Sequence, residues 1–440
     1  MFKTLLNAWR IPDVRKRLIF TFLMMVVIRV GAQIPVPGTD PDVVKTIFQG
    51  LTSGAFNIFN TFTGGSLESF SILALSITPY ITASIIMELL TIAIPPLEEL
   101  AREGNEGRKK IAEYTRYATV ALALIEATAM AIGFGNQGLF ADPDAKWFYV
   151  IVTIITLTAG SAFLMWIGEQ INEKGIGNGI SIVLLVNILS RIPEDLGTLI
   201  TVFTANRGIA ASILIVILII AVILAIVTFV VWLNGGMRKI PVQYSGRVQG
   251  RRTMGGQSSN IPLRVLTASV IPVIFASSIM SLPAMIAQFA GGYSTATFGG
   301  KIIAFLSSQY WFNPSADWWY SFGVLIYLAL IIVFAYFYTS ITFNPVEISE
   351  NLKKQGGFIP GIRPGAPTSE YLNSVLNKVV FIGAVGLCIV ALIPIIVAGL
   401  RNVGSISFLG TSLIIIVGVI LETLSQIEGR MVSREYDSIF

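Results

Sequence analysis

Long apolar stretches separated by short polar ones dominate this chain, and their length sets the expected architecture. Ten predominantly apolar runs fall at about 18–36, 68–96, 116–134, 147–168, 178–201, 209–234, 265–290, 321–342, 375–399 and 405–427. Each is close to the roughly 20 residues an α-helix needs to cross a hydrocarbon core about 30 Å thick. The pattern predicts an all-α polytopic membrane protein with ten transmembrane helices. Two runs are weak. The second begins after Gly64-Gly65 and opens on the polar stretch Ser66 to Ser71, and the fifth carries Asn178, Ser181, Asn187 and Ser190. Helices of this kind are expected to face protein or water rather than lipid. The first run is too long for a signal-peptide core and is followed by Ile34-Pro35-Val36-Pro37 instead of a small-residue cleavage site, so it reads as a retained span.

Composition agrees with lipid exposure. Hydrophobic residues make up 54% of the chain and charged ones 12%, about half the charged share of a soluble domain. The few charges are unevenly placed. With the N-terminus in the cytoplasm, 23 of the 30 Lys and Arg residues fall on the cytoplasmic side, leaving Arg29, Lys45, Lys146, Arg191, Arg207, Lys301 and Arg401. The positive-inside rule selects this orientation, and an even number of spans puts both termini in the cytoplasm. Five spans per half, 1–205 and 206–440, suggest a duplicated architecture.

The cytoplasmic stretches 235–264 and 343–374 are long, polar and rich in Gly, Arg and Lys, with Gln249-Gly250-Arg251-Arg252 in one and Asn351 to Gly365 in the other. Positive-inside bias accounts for their charge but does not require their length. Exposed basic loops with Gly and Pro turns suit docking onto an acidic face or a phosphate backbone.

Enzyme chemistry finds no support in the motifs. The chain has no His, which removes Ser-His and Cys-His catalysis and His-ligated zinc. Gly299-Gly300-Lys301 is followed by Ile302 and lacks the leading glycine of a nucleotide-binding P-loop. Gly175 to Gly179 does not follow a strand, so it reads as a flexible lead into the fifth span. Cys388 stands alone in an apolar run, which rules out a disulfide framework. No metal, cofactor or catalytic group is expected. Charges at membrane depth are Glu88, Glu126 and Glu422, with Arg29 positioned to snorkel toward the outer surface. A small-solute secondary transporter, the alternative reading, usually has paired charges and broken helices at midplane; one deep acid, Glu126, makes a poor case for it.

Specific stretches carry a resemblance that runs from end to end. They are Ile34 to Gly38, Gly64-Gly65 with Ser76 to Ile86, Met165 to Gln170, Gly175 to Ile182, Val270 to Ser278, Phe343-Asn344-Pro345, Asn351 to Gly365 and Gly410 to Leu413. In these the chain resembles the SecY family, the central subunits of the bacterial protein-conducting channel. The resemblance implies two pseudo-symmetric five-helix halves around a central pore in the cytoplasmic membrane. It implies a passive channel that passes unfolded secretory polypeptides and releases transmembrane segments laterally into lipid. Its expected partners are SecE and SecG, the SecA motor, the ribosome with its RNA and proteins, and the signal sequence.

Residue by residue, the family's apolar pore ring falls on Ile77, Ile81, Ile180, Leu184, Ile274 and Ile415, with Leu184 replacing the common Ile. Ile77/Ile81 and Ile180/Leu184 are i,i+4 pairs, each on one helix face. Apolar side chains offer ions no substitute for hydration, and a narrow apolar neck dewets. The plug falls on about 64–75, including Gly64, Gly65, Ser66, Leu67, Ser71 and Leu75, with a half-helix following the glycines. Ser84, Glu126 and Ser281 fall at the lateral gate as a polar seam; the family often has Gln where Glu88 and Glu126 stand. Arg251, Arg252 and Arg363 are the ribosome and motor docking residues.

Overall fold

The computed structural model of the chain describes residues 9, 11–50, 60, 62–140, 142, 144–205, 207–244, 248–249, 252–253, 258–267, 270–289, 297–312, 317–401 and 409–437. Its helices are α1 (Pro12–Gly31), α2 (Pro41–Gly50), α3 (Thr78–Ala93), α4 (Pro95–Arg102), α5 (Asn105–Gly135), α6 (Lys146–Lys174) and α7 (Gly179–Thr204). They continue with α8 (Ile209–Gly235), α9 (Ile271–Phe289), α10 (Phe298–Leu306), α11 (Gly323–Thr342), α12 (Pro345–Lys354), α13 (Ala366–Arg401) and α14 (Leu409–Asp437). Each of the ten apolar runs meets a helix, in order: α1, α3, α5, α6, α7, α8, α9, α11, α13 and α14.

Among the described residues, six helices are long and apolar enough to cross a membrane by themselves, and a seventh if α3 and α4 count as one bent span. The shortfall has local causes. α1 opens on Asp13, Arg15, Lys16 and Arg17, and α7 carries Arg191, Glu194 and Asp195 within its length. α3 and α4 meet at a 105° bend. Pro95 and Pro96 follow Ile94 there, and their rings exclude the helical geometry and the amide donor that continuation needs. The extreme case on the apolar side is α8. Its Ile215, Ile226, Val230 and Leu233 are buried while Ile213, Leu214, Ile217, Leu218 and Trp232 are exposed, as expected of a helix that turns most of its surface to lipid.

Two of the sequence stretches that stood out are helix caps. Asn178 accepts hydrogen bonds from the Ile180 and Ser181 amides at the start of α7. Asn344 does the same for Val346 and Glu347 at the start of α12, with Pro345 in the first turn. The Gly175 to Gly179 stretch is therefore a capped helix start.

The second run departs from expectation. No helix covers 64–77; that segment is a succession of turns, and α3 starts at Thr78. Gly64 and Gly65 have φ of +67° and +82°, and Phe70 and Ser76 also have positive φ. These left-handed positions prevent a continuous right-handed helix. The segment pairs with the motif after α1 instead: the Val36 amide donates to the Phe70 carbonyl and the Ile72 amide to the Ile34 carbonyl.

The long polar stretches also hold more order than loops. β1 (Met237–Tyr244) pairs antiparallel with β4 (Ser258–Arg264), Met237 opposite Arg264 and Gln243 opposite Ser258. β5 (Gly357–Phe358) joins the other edge of β1, so both stretches share one three-stranded sheet in the order β4-β1-β5. Val248–Gln249 (β2) pairs with Arg252–Thr253 (β3). Ile240, Val242 and Leu263 of the sheet pack with Leu352 of α12 and Leu372 and Leu376 of α13. Only the short alternation Ile240, Val242 and Tyr244 marks β1, after the charged pair Arg238-Lys239, which is why its charge hides it.

The largest core runs through α3, α6, α7, α9, α11, α13 and α14. A second is built from α5, α6 and the 67–75 turns. α7 packs against α6, α8 and α14, and α5 packs against α9.

Candidate functional site

The six side chains assigned to the pore ring come from four segments of the chain. The structure brings them to one apolar cluster. Ile77, Ile81, Leu184, Ile274 and Ile415 are buried members of it, and Ile180 packs against it. Ile77 precedes the first helical residue of α3, yet the Ile81 amide donates to its carbonyl, so the i,i+4 relation holds. The same cluster contains many other residues, including Ile28, Val230 and Leu387, so membership alone does not define a constriction.

A partly open cavity of about 140 Å³ singles out four of the six. Ile81 of α3, Ile180 and Leu184 of α7, and Ile274 of α9 line it, beside Phe275 of α9 and Tyr338 of α11. Ile77 and Ile415 are fully buried and do not line it. The cavity wall also carries Tyr80, Ser84 and Glu88. The cavity thus joins apolar side chains from three helices, unable to hydrate an ion, with a few polar groups.

The 64–75 segment is held from two sides. Leu67, Phe70, Ala74 and Leu75 are buried in one cluster with Ala127, Met130 and Phe134 of α5 and Leu157 of α6. Its polar face is tied to α7. Asn187, itself buried, donates through Nδ2 to the Phe62 carbonyl at 3.0 Å and to Ser76 Oγ at 2.9 Å. Ser190 Oγ lies 3.2 Å from the Gly64 carbonyl, though its shorter contact, 2.7 Å, is to the Asn187 carbonyl of its own helix. Arg191 Nη1 pairs with Glu68 and with Glu194, each at 2.8 Å, and Asn60 Nδ2 also donates to Glu68. Arg29 Nη1 donates to the Gly64 carbonyl at 3.2 Å, so this arginine turns inward to the segment instead of snorkelling outward. Ser66 and Ser71 are buried with the segment. Sequence reasoning marked Asn187 and Ser190 only as polar for a span. Their spacing with Arg191 and Glu194, three and four residues apart, was the available signal of one polar face.

The three residues assigned to the lateral gate are not joined in a hydrogen-bonded seam. Ser84 lines the cavity. Ser281 Oγ donates to the Ser278 carbonyl of its own helix, and the Oε2 atom of Glu126 is buried without a hydrogen-bond partner. Hydroxyls on helices return readily to the carbonyl three or four residues back, which consumes Ser281. The α5–α9 contact is apolar: Leu282 packs against the α5 core.

Among the docking residues, Arg363 is exposed between β5 and α13, and its carbonyl accepts from Thr368 Oγ1. Arg251 lies outside the described residues, as does the side chain of Arg252, whose backbone belongs to β3.

Comparison with known proteins converges on one family. The SecY family model matches residues 71–424. The chain is 42% identical to the protein translocase subunit SecY of Halalkalibacterium halodurans and 41% identical to that of Bacillus subtilis, over 99% of each chain. Among solved structures, it is similar to a protein-conducting channel at 20% identity, covering 97% of both chains with a TM-score of 0.64. The Sec61 chain of a canine ribosome–channel complex from the endoplasmic reticulum is likewise similar, at 20% identity over 97% of both chains with a TM-score of 0.61. Sequence identity over almost the whole length, on a fold shared with these channels, establishes that the chain belongs to the SecY family of protein translocase subunits.

Proposed function

We propose that this multi-pass membrane protein forms the pore through which unfolded secretory polypeptides cross the membrane, and from which transmembrane segments pass sideways into lipid. The observation that carries the reading is the cavity lined by Ile81, Ile180, Leu184 and Ile274, with Ile77 and Ile415 in the same apolar cluster. Such a neck resists ions at rest because it is poorly wetted. It accepts a polypeptide of any sequence because it makes no specific hydrogen-bond demand. The 64–75 segment acts as the plug, held closed by α1 and α7, and α5 and α9 part as the lateral gate beside Ser84, Glu126 and Ser281. Residues 1–205 and 206–440 act as the two halves.

The membrane is the bacterial cytoplasmic membrane, with both termini inside. That orientation is supported by the sidedness of Lys and Arg. The sheet formed within 235–264 and 343–374 then faces the cytoplasm, where Arg251, Arg252 and Arg363 offer positive charge to the ribosome or to the SecA motor. SecE and SecG complete the membrane complex. The relatives named above are translocase subunits, and the solute-carrier reading gains no support from them.

The test is reconstitution into proteoliposomes with SecE, SecG and SecA. ATP-dependent protection of a secretory precursor from external protease is expected. Saturable uptake of one small solute by the chain alone, with no precursor protected, overturns the reading.

A further inference from the structure

Among the residues lining the cavity there is one carboxylate, Glu88, and neither Lys nor Arg. Its Oε2 atom is buried and has no hydrogen-bond partner. Leaving a carboxylate oxygen out of water and unpaired is costly. Arg116 of α5 is bound to Glu169 at 2.6 Å. The Tyr338 phenol lies within electrostatic reach of both Glu88 and Glu422. The cavity thus sets one carboxylate beside the hydroxyls of Tyr80, Ser84 and Tyr338 and the apolar side chains Ile81, Ile180, Leu184, Ile271, Ile274 and Phe275.

We propose that this cavity is a subsite for one basic side chain of the entering polypeptide, with a lysine ammonium or arginine guanidinium at Glu88 and its methylene stem against Ile81, Ile274 and Phe275. Lys and Arg are built this way, an apolar stem ending in a charged head, and the cavity presents the complementary arrangement. Its volume of about 140 Å³ compares with roughly 10–15 Å³ for one water centre, so it admits a multi-atom group. A basic residue docked there holds the entering chain at the ring, so that it threads onward instead of slipping back. A carboxylate at this position can hold a cation that an amide would hold only weakly. The inference rests on the channel reading and on the cavity opening toward the cytoplasm.

The test uses the reconstituted complex and a precursor stalled by a folded C-terminal domain, with a single lysine moved through successive positions near its N-terminus. A carbodiimide joins a carboxylate to an amine only when they touch. At one or two lysine positions it is expected to form an amide with Glu88, identified by mass spectrometry, and Glu88→Gln abolishes the product. Glu88→Gln should slow transport of that precursor about tenfold, the scale of one charge-assisted hydrogen bond, and leave unchanged a precursor with Gln in place of the lysine. Ser84→Cys, in a Cys388→Ser background, reports separately whether a cysteine-bearing precursor reaches the cavity. Capture at Ser84→Cys with no amide at Glu88 overturns the subsite while the channel reading stands. Equal slowing of both precursors by Glu88→Gln also overturns it, because the carboxylate then serves the protein itself. No capture at Ser84→Cys by a precursor that is otherwise transported overturns the path and the subsite together.

Discussion

Asn187→Ala should loosen the plug more than any other single truncation on its polar face. Asn187 is 2% exposed, and its Nδ2 donates to the Phe62 carbonyl and to Ser76 Oγ at 3.0 and 2.9 Å. Truncation leaves the Phe62 carbonyl only the longer bond from Ser76 Oγ at 3.3 Å. Two hydrogen bonds are lost, at about 0.5–1.5 kcal/mol each. The Oδ1 atom of Asn187 is itself buried and unpaired, and its removal returns part of that cost. The net destabilisation of the closed segment is therefore about 1–2 kcal/mol, or roughly a five- to thirtyfold rise in the open fraction. Arg191→Ala should do less. Its partner Glu68 is 43% exposed and Glu194 61%, and such pairs contribute at most about 1 kcal/mol. Resting ion conductance in planar bilayers reads both, and raising salt separates them: it should mimic Arg191→Ala in the parent and leave the Asn187→Ala increment intact. A tight Asn187→Ala channel beside a leaky Arg191→Ala channel would refute the reasoning, because the anchor would then be the ion pair and not the buried amide.

Three further outcomes are expected. Gly160→Ala should also raise resting conductance, because a Cβ there would lie 1.9 Å from the Ile72 carbonyl oxygen and α6 would push the turn segment away; unchanged conductance and export would place the segment elsewhere in the membrane. With single cysteines at Glu106 and Gly299 in a Cys388→Ser background, an impermeant thiol reagent added outside intact cells should label only the second, and labelling of the first reverses the orientation. Arg363→Glu should weaken motor or ribosome coupling with steep salt dependence while membrane insertion is unaffected, checked by ribosome binding and precursor transport; normal values in both assays remove Arg363 from the docking surface.

The helices were legible because apolar run length is a strong signal, and α5, α6, α8, α11 and α13 carry it almost without interruption. The second span was misread at its start. Leu67, Phe70, Leu73 and Leu75 are apolar enough to extend the run, and nothing in composition reveals that Phe70 and Ser76 take left-handed backbone angles. The sheet was hidden for the opposite reason: β1 carries the charged pair Arg238-Lys239 near its start, and its alternation is short, Ile240, Val242 and Tyr244. Of the candidate site, the individual ring residues were indistinguishable from ordinary core Ile and Leu by pattern, and only resemblance to a family selected them. The polar face of α7 was visible as residues but not as a contact, since its partners Phe62, Gly64 and Glu68 are more than 120 residues away in the chain.

The ring itself is the central claim, and one pair of variants tests it most directly. Ile415 and Ile416 are adjacent on α14, both buried, and differ by about 100° around the helix axis. A polar side chain on the pore face lets water persist in the neck, whereas one on the packing face disturbs the bundle. Single-channel conductance and export of a precursor with a defective signal sequence should be measured for Ile415→Asn and Ile416→Asn side by side, with and without deletion of residues 66–71. Ile415→Asn is predicted to raise resting conductance and to pass the defective precursor, most clearly in the deletion, while Ile416→Asn does neither. A tight, selective Ile415→Asn channel beside a leaking Ile416→Asn channel would contradict the assignment of this face of α14 to the pore.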